Sequence, residues 1–362
     1  MRLNLATLDQ ELLRRERSSV DFMADATRVE AVRGELVTTP ASPLVELDTL
    51  AESIPNAIGL RLPDVPGAFP LTPHGRIQVS QKLGIPKVYV DRMIAEDRWE
   101  LLEQNFNSWL PGKDRALFRV QDGQIRAMLS DRYRPMDNRP VLLAALGFLQ
   151  GKNVEIRDCY LTEERMYIKA HVPHLRQDII KGDAVIPGIV ISNSEVGSGS
   201  LRVEPFLYRL VCSNGMIGQD KLTRVHLGGE LKGIEGLLQE DTIQAHQEAT
   251  SMIVRDVIDG VFAPDKLNSW IEEIRTGTRV QIDKPTEAVT WAVKNFGIPK
   301  SLETSILDEF IKGSGSSQWD LANAVTAVAR EVEDEQVQVE LERTGGDLAI
   351  ANLGNSPVEI TV

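Results

Sequence analysis

The clearest alternation of apolar and polar positions flanks Asp122-Gly123. A type I′ turn needs positive φ at both central residues, so Asp-Gly between alternating segments predicts a two-residue hairpin. With those residues as the loop, Gln121 pairs with Gln124, Val120 with Ile125, Arg119 with Arg126 and Phe118 with Ala127. Ala116, Phe118, Val120, Ile125, Ala127 and Leu129 then form one face, toward the core. The opposite face carries Arg115, Leu117, Arg119, Gln121, Gln124, Arg126 and Met128.

Elsewhere the pattern predicts further elements. Residues 1–18 hold a charged helix, and 19–73 are mixed, with a Pro/Gly-rich boundary at SIPNAIGLRLPDVPGAFPLTP. PHGRIQVSQKLG ends one helix on Gly84, and IPKVYVDRMIAEDRWELLEQNFNSWL resumes with Pro86 in its first turn. The interval VSQKLGIPKVYVDRMI fits a DNA-reading helix-turn-helix: Ser80 is small at the crossing, and Leu83, Ile85, Val90 and Met93 take inward spacings. A simple packed helical corner fits the same spacing. Pro140 opens a helix over VLLAALGFLQ. VEIRDCYL and RMYIKAHV flank the turn TEE, and AVIPGIVIS and SLRVEPFLYRLV flank NSEVGSG. Beyond Leu237 the signals are helical, near 240–262, 265–275, 285–297 and 302–312. One last long helix, SSQWDLANAVTAVAREVEDEQVQVELER, is capped by Ser317, with Leu321, Ala324, Val325 and Val328 as its apolar stripe.

This element order predicts an α+β fold: a mainly antiparallel sheet built from hairpins, covered by helices on one face and followed by a helical C-terminal region. The expected divisions are an N-terminal segment over 1–70, an α+β core over 71–235, and a helical, acidic region over 236–362.

Charge changes the picture. The chain of 362 residues has a net charge of -13, yet residues 301–362 hold 12 Asp and Glu against 3 Lys and Arg, whereas 61–230 hold 20 against 23. A uniformly basic nucleic-acid coat is excluded, but the middle of the chain is not acidic. Arg119 directly opposite Arg126 is unfavourable unless something negative offsets the pair. The counter-charge is either a phosphate backbone or carboxylates of the same chain, such as Glu163 and Glu164. SDRYRPMDNRP adds Arg132, Arg134 and Arg139 around Tyr133, a composition shared by single-strand stacking platforms and ion-paired loops.

Other chemistry is sparse. No GxxxxGK[ST] occurs, and Ser192 and Ser194 do not sit in GxSxG. His171 and His174 flank a proline with no second ligand pair, so no metal is expected. Asp131, Asp137 and Glu195 remain conceivable ligands for a metal-dependent nuclease. Cys159 and Cys212 read as free thiols of a reducing compartment. No leader-like segment opens the chain and no apolar run reaches membrane-spanning length, which predicts a cytoplasmic protein without membrane contact.

The strings QKLGIPKVYVDRM, NSWL, RAMLSDRYRPMDN, SNSEVGSGSLRVEPFLYRLVCSNGMI, VHLGG and LANAVTAVAR together resemble, over roughly residues 70–345, the phage- and plasmid-like family called domain of unknown function nine-three-two. The resemblance implies a bacterial or phage-infected cell and assigns no biochemical role. By element order the core is also similar to single-strand-annealing recombinases, which hold single-stranded DNA in rings.

The expected function is therefore single-stranded-DNA binding or annealing in recombination or replication of a phage or plasmid, by a homo-oligomer for which a ring is one form, without cofactor or enzymatic chemistry. Arg115, Arg119, Arg126, Arg132, Arg134, Arg139 and Lys87 would meet phosphates, and Tyr133 a base. The alternative is a protein-interaction or assembly module of a mobile element, directed at host defence, in which the arginines meet carboxylates.

Overall fold

The structure, a computed structural model, describes residues 2–33, 58–110, 115–131, 133, 136–149, 153–211, 214–218, 240–313, 315–351 and 360–361. It is α+β with antiparallel sheets and a helical C-terminal region, as the pattern predicts.

The chain opens with β1 (Arg2–Leu3) and α1 (Leu5–Ser18), the latter capped by Asn4, whose side chain accepts from Thr7 N. Next come β2 (Ser19–Asp25), β3 (Glu30–Arg33), β4 (Ile58–Arg61) and β5 (Phe69–Pro70). Residues 2–25, assigned by sequence to a separate segment, are woven into the rest: β1 joins the edge of the main sheet, and β2 becomes the third strand of the Asp-Gly ribbon.

The helical corner forms at the expected place, from α2 (Pro73–Lys82) to α3 (Lys87–Ala95), turning at Gly84 with φ +75. Ser80, Leu83, Ile85, Val90 and Met93 are all buried, as the spacing requires. The predicted second helix breaks at Asp97, whose φ of 55 is left-handed, and α4 (Trp99–Trp109) starts anew. Helix α2 packs on β7 of the ribbon formed by β2, β6 (Arg115–Gln121) and β7 (Gln124–Ser130), and α4 packs on β3 and β4; one apolar cluster joins them and holds Phe118, Val120, Ile125, Val79, Leu102 and Phe106.

After α5 (Asn138–Leu149) comes the main sheet: β8 (Glu155–Leu161), β9 (Met166–His171), β10 (Gln177–Ile180), β11 (Asp183–Asn193), β12 (Arg202–Arg209) and β13 (Gly215–Ile217). Its order is β1-β8-β9-β11-β12-β13, with β10 also pairing β11. The expected single covered face is corrected, because both are covered. Ile168, Ala170, Ile189 and Val203 pack on α1, α5 and α6 (Glu240–Val261), while Tyr167, Val190 and Phe206 at alternate positions pack with Val339 of a C-terminal helix. Double coverage is why β11 reads as an almost unbroken apolar run, every residue buried.

The remaining elements are α7 (Pro264–Gly277), β14 (Gln281–Ile282), α8 (Pro285–Asn295), α9 (Glu303–Lys312), α10 (Gln318–Ala329), α11 (Glu335–Ile350) and β15 (Ile360–Thr361), which pairs β14. The expected last long helix is two. Ser317 caps α10 in a capping box with Asp320, and Asp334 starts α11 by accepting from the backbone of Gln336 and Val337. The break folds α11 back beside α10 and onto the sheet, so close that a Cβ on Gly346 would strike the Ile217 carbonyl. Neither helix is the solvated acidic face that its composition suggests: Leu321, Ala324, Val325 and Val328 are buried, and so are Glu342 and Arg343. Among the described residues no helix is long and apolar enough to cross a membrane.

Candidate functional site: the arginine–carboxylate junction

The Asp122-Gly123 turn forms with φ of 51 and 72, and Gln121 pairs with Gln124 and Val120 with Ile125, as predicted. One residue later the register shifts. Arg119 pairs with Ala127 and Phe118 with Met128, leaving Arg126 as the extra residue of a β-bulge. The expected Arg119–Arg126 cross-strand pair is thereby corrected. Beyond the bulge the faces exchange: Met128 joins the helix-covered side, and Ala127 and Leu129 pack with Leu117 and Val196 on the other.

Strand β2 explains the arginines of β6. In register, Asp21 lies opposite Arg119 and Asp25 opposite Arg115. Two carboxylates four residues apart thus meet two guanidinium groups four residues apart, each opposed by the sign that stabilises it. Arg119 donates through Nε to Asp21 at 2.9 Å, through one Nη to Asp137 at 2.7 Å and through the other to the Glu195 carbonyl at 3.0 Å. It is only 7% exposed. Burial works against its charge, but Asp137 and Asp21 outweigh that and hold the guanidinium above its ordinary pKa.

Arg126, 9% exposed, donates to the Glu195 carboxylate at 2.9 Å and to the Glu163 carbonyl at 3.1 Å. Burial pulls its pKa below the ordinary value, and the single carboxylate of Glu195 offsets this only in part. The other Glu195 oxygen accepts from Asn138 N at 2.8 Å, so one side chain ties the ribbon to the start of α5. Asn193 reinforces the joint, donating to the Met136 carbonyl and the Asn138 side chain.

The other expected contact residues are dispersed. Arg115 is exposed at the start of β6. Arg139 reaches Asp9 and Glu16 of α1, both at 3.2 Å. Lys87 pairs with Asp91 along α3 at 2.9 Å. Tyr133 is part-buried beside Leu129, its hydroxyl 3.4 Å from the Ser194 carbonyl, and burial raises its pKa. Arg132, Arg134 and Cys212 lie outside the described residues. Thus Arg119 and Arg126 converge, but on carboxylates of their own chain rather than on a surface awaiting an anion. Of the two suggested carboxylates, Glu163 contributes only its backbone carbonyl; its side chain accepts from His74 N, and that of Glu164 faces the His74 ring.

The conceivable metal ligands are otherwise engaged. Asp137 and Glu195 are spent on Arg119 and Arg126, His171 lies 3.4 Å from Glu155, and among the described residues no three His, Cys, Asp or Glu groups gather to hold a metal ion. Cys159 is buried, which pushes its thiol up to about 11 and makes it a poor nucleophile. What the sequence reading missed is Asp21 and the hub role of Glu195. The available signal for Asp21 was the alternation of SVDFMAD, with carboxylates at the spacing of Arg115 and Arg119.

No curated protein and no solved structure matches this chain. Two of the strings behind the family resemblance, RAMLSDRYRPMDN and SNSEVGSGS, are the pieces that Glu195 joins, and residues 127–226, which contain most of that joint, match the family described as Domain of unknown function (DUF932).

Proposed function

We propose that the chain is an assembly module that pairs with a second copy of itself through the exposed side of α3 and α4. The observation that carries this reading is Trp109, 59% exposed at the end of α4. Leu101, 45% exposed, lies two turns earlier, and between them Asn105 donates to the Tyr89 hydroxyl of α3, beside Val88, which is 79% exposed. A large aromatic left in water on a helix face that also exposes Leu101 is the composition of an interface centre. The rim carries both signs, Lys87 with Asp91 and Arg92 with Glu96, which suits a patch that must complement its own copy across a two-fold axis.

Sedimentation velocity across a wide concentration range is the test. The wild type is expected to show a concentration-dependent dimer and Trp109→Asp a monomer. Identical sedimentation of the two proteins would remove this face from the assembly.

Single-stranded DNA is the second reading. It is favoured by Arg115, which is exposed, and by Arg139, whose partners Asp9 and Glu16 are themselves partly exposed and can yield to a phosphate. It does not rest on Arg119 or Arg126. Each phosphate contact on a single strand contributes about 0.7 to the log–log salt slope of affinity. A labelled oligonucleotide titrated at two salt concentrations therefore discriminates: Arg115→Ala with Arg139→Ala flattens the slope if these residues bind, and leaves it unchanged if they do not.

A further inference from the structure

The loop joining β11 to β12, which also carries Glu195, brings a serine, a histidine and a glutamate into line beside the arginine junction, with side chains that the junction does not use. Ser198 Oγ lies 3.3 Å from His74 Nε2, and His74 Nδ1 lies 3.3 Å from Glu164 Oε1. Three separate elements supply them: His74 from the first turn of α2, Glu164 from the β8–β9 turn, Ser198 from the loop.

Each member is held from behind. His74 N donates to the Glu163 carboxylate at 2.9 Å, which fixes the α2 start against the β8–β9 turn. Ser198 N donates to Ser194 Oγ at 3.0 Å, closing the loop on itself. Arg165, the residue after Glu164, donates to the Ser198 carbonyl and lies against Gly199, while its own Nε is buried with no partner among the described residues. The site is not sealed: Gly197 is exposed and Ser198 and Glu164 are partly so, whereas the His74 side chain is 11% exposed.

A hydroxyl within reach of an imidazole whose far nitrogen is held by a carboxylate is the arrangement of an activated nucleophile, and such distances run loose in unliganded proteins. We propose that Ser198, His74 and Glu164 form an acyl-transfer site acting on carboxylic esters. Ser198 Oγ bonds to the ester carbonyl carbon as its proton passes to His74 Nε2. The bond from that carbon to the leaving oxygen breaks, and His74 returns the proton to the departing alcohol. Water then bonds to the acyl carbon, giving a proton to His74. The carbon–Ser198 oxygen bond breaks, His74 reprotonates Ser198, and the carboxylic acid leaves. Glu164 keeps the Nδ1 proton in place and stabilises the imidazolium. Arg165 is a positioning residue that fixes the Ser198 peptide and brings a positive charge beside it.

The sequence conceals this site, because the serine sits in GSGS rather than GxSxG and its partners are remote along the chain.

The test is labelling of the full-length protein with an alkyl fluorophosphonate, followed by peptide mass mapping. A single adduct on Ser198 is expected, lost in Ser198→Ala and formed at least about a hundredfold more slowly in His74→Asn, the scale of a removed general base. Parallel hydrolysis of p-nitrophenyl acetate should show a burst that the same variants lose. Mapping on the wild type needs no variant to fold. No adduct, an adduct on another serine, or a rate unaffected by His74→Asn each overturns the proposal.

Discussion

At the scale of single residues, the decisive contrast is between charges that look alike in the sequence. Lys87 and Arg126 are both basic, but Lys87 meets Asp91 in water, whereas Arg126 meets Glu195 where both are buried. An exposed pair contributes little, because water and salt already screen it. Removing one partner of a buried pair leaves an uncompensated charge out of water, at a cost of about 3–5 kcal/mol. Glu195→Gln is expected to approach the lower end of that range, since glutamine still offers an oxygen to Arg126 or Asn138 but no charge. Urea denaturation measures it, with Asp91→Ala as the exposed comparison, expected to change stability by less than about 1 kcal/mol. Equal effects from the two substitutions would mean that Glu195 is not the hub of the junction.

At the scale of elements, the same locality decides what the sequence discloses. The Asp-Gly turn was legible, because two positive φ angles impose a rare requirement on two adjacent residues, and the pairs next to it followed. The bulge at Arg126 was not, since neither glycine nor proline marks it; what selects it is burial of the guanidinium against Glu195, contributed from a distant part of the chain. The helical corner was legible to single positions, Ser80 and Val90 among them, because helix spacing is local. The break between α10 and α11 sits within a run of good helix formers, and only Asp334 gives it away. Its side chain satisfies two backbone donors of α11 that a continuous helix would have bonded internally. Asp334→Ala removes that cap and should cost about 1 kcal/mol. The thermal midpoint should fall with no change in far-ultraviolet circular dichroism; a rise in helical signal would instead mean that the two helices had fused. The line of Ser198, His74 and Glu164 is illegible for the reason the bulge is, namely that three elements must first meet.

At the scale of the whole molecule, α10 and α11 of the acidic C-terminal region are part of the core. Lys169 on β9 donates to both Glu342 oxygens, at 2.6 and 2.5 Å, and Arg343 forks onto Glu204 of β12 at 2.9 and 2.6 Å, all four residues being buried. Burial raises the Glu342 pKa, with Lys169 opposing it, so the pair depends on staying together in a dry interface. Trp319 of α10 donates to Asp183 of β11, whose other contacts are to Arg209. Deleting residues 314–362 would therefore strip a cluster that includes Trp319, Val325 and Leu348 from the sheet and leave Lys169, Glu204 and Asp183 without these partners. The apolar face of the sheet would then meet water, and the burial lost is large against a total stability of about 5–15 kcal/mol for a typical domain, so the truncated chain should lose its cooperative unfolding transition. Lys169→Met with Glu342→Met separates charge from packing: apolar groups of similar size in place of both partners should leave the transition in place, because well-packed replacements of a buried pair are often neutral or stabilising. Calorimetry of the two proteins is the measurement. Retention of a wild-type transition by the truncated chain would show that α10 and α11 are dispensable to the sheet, and loss of the transition in the double methionine variant would show that the ion pair itself, rather than the surface it accompanies, holds α11 in place.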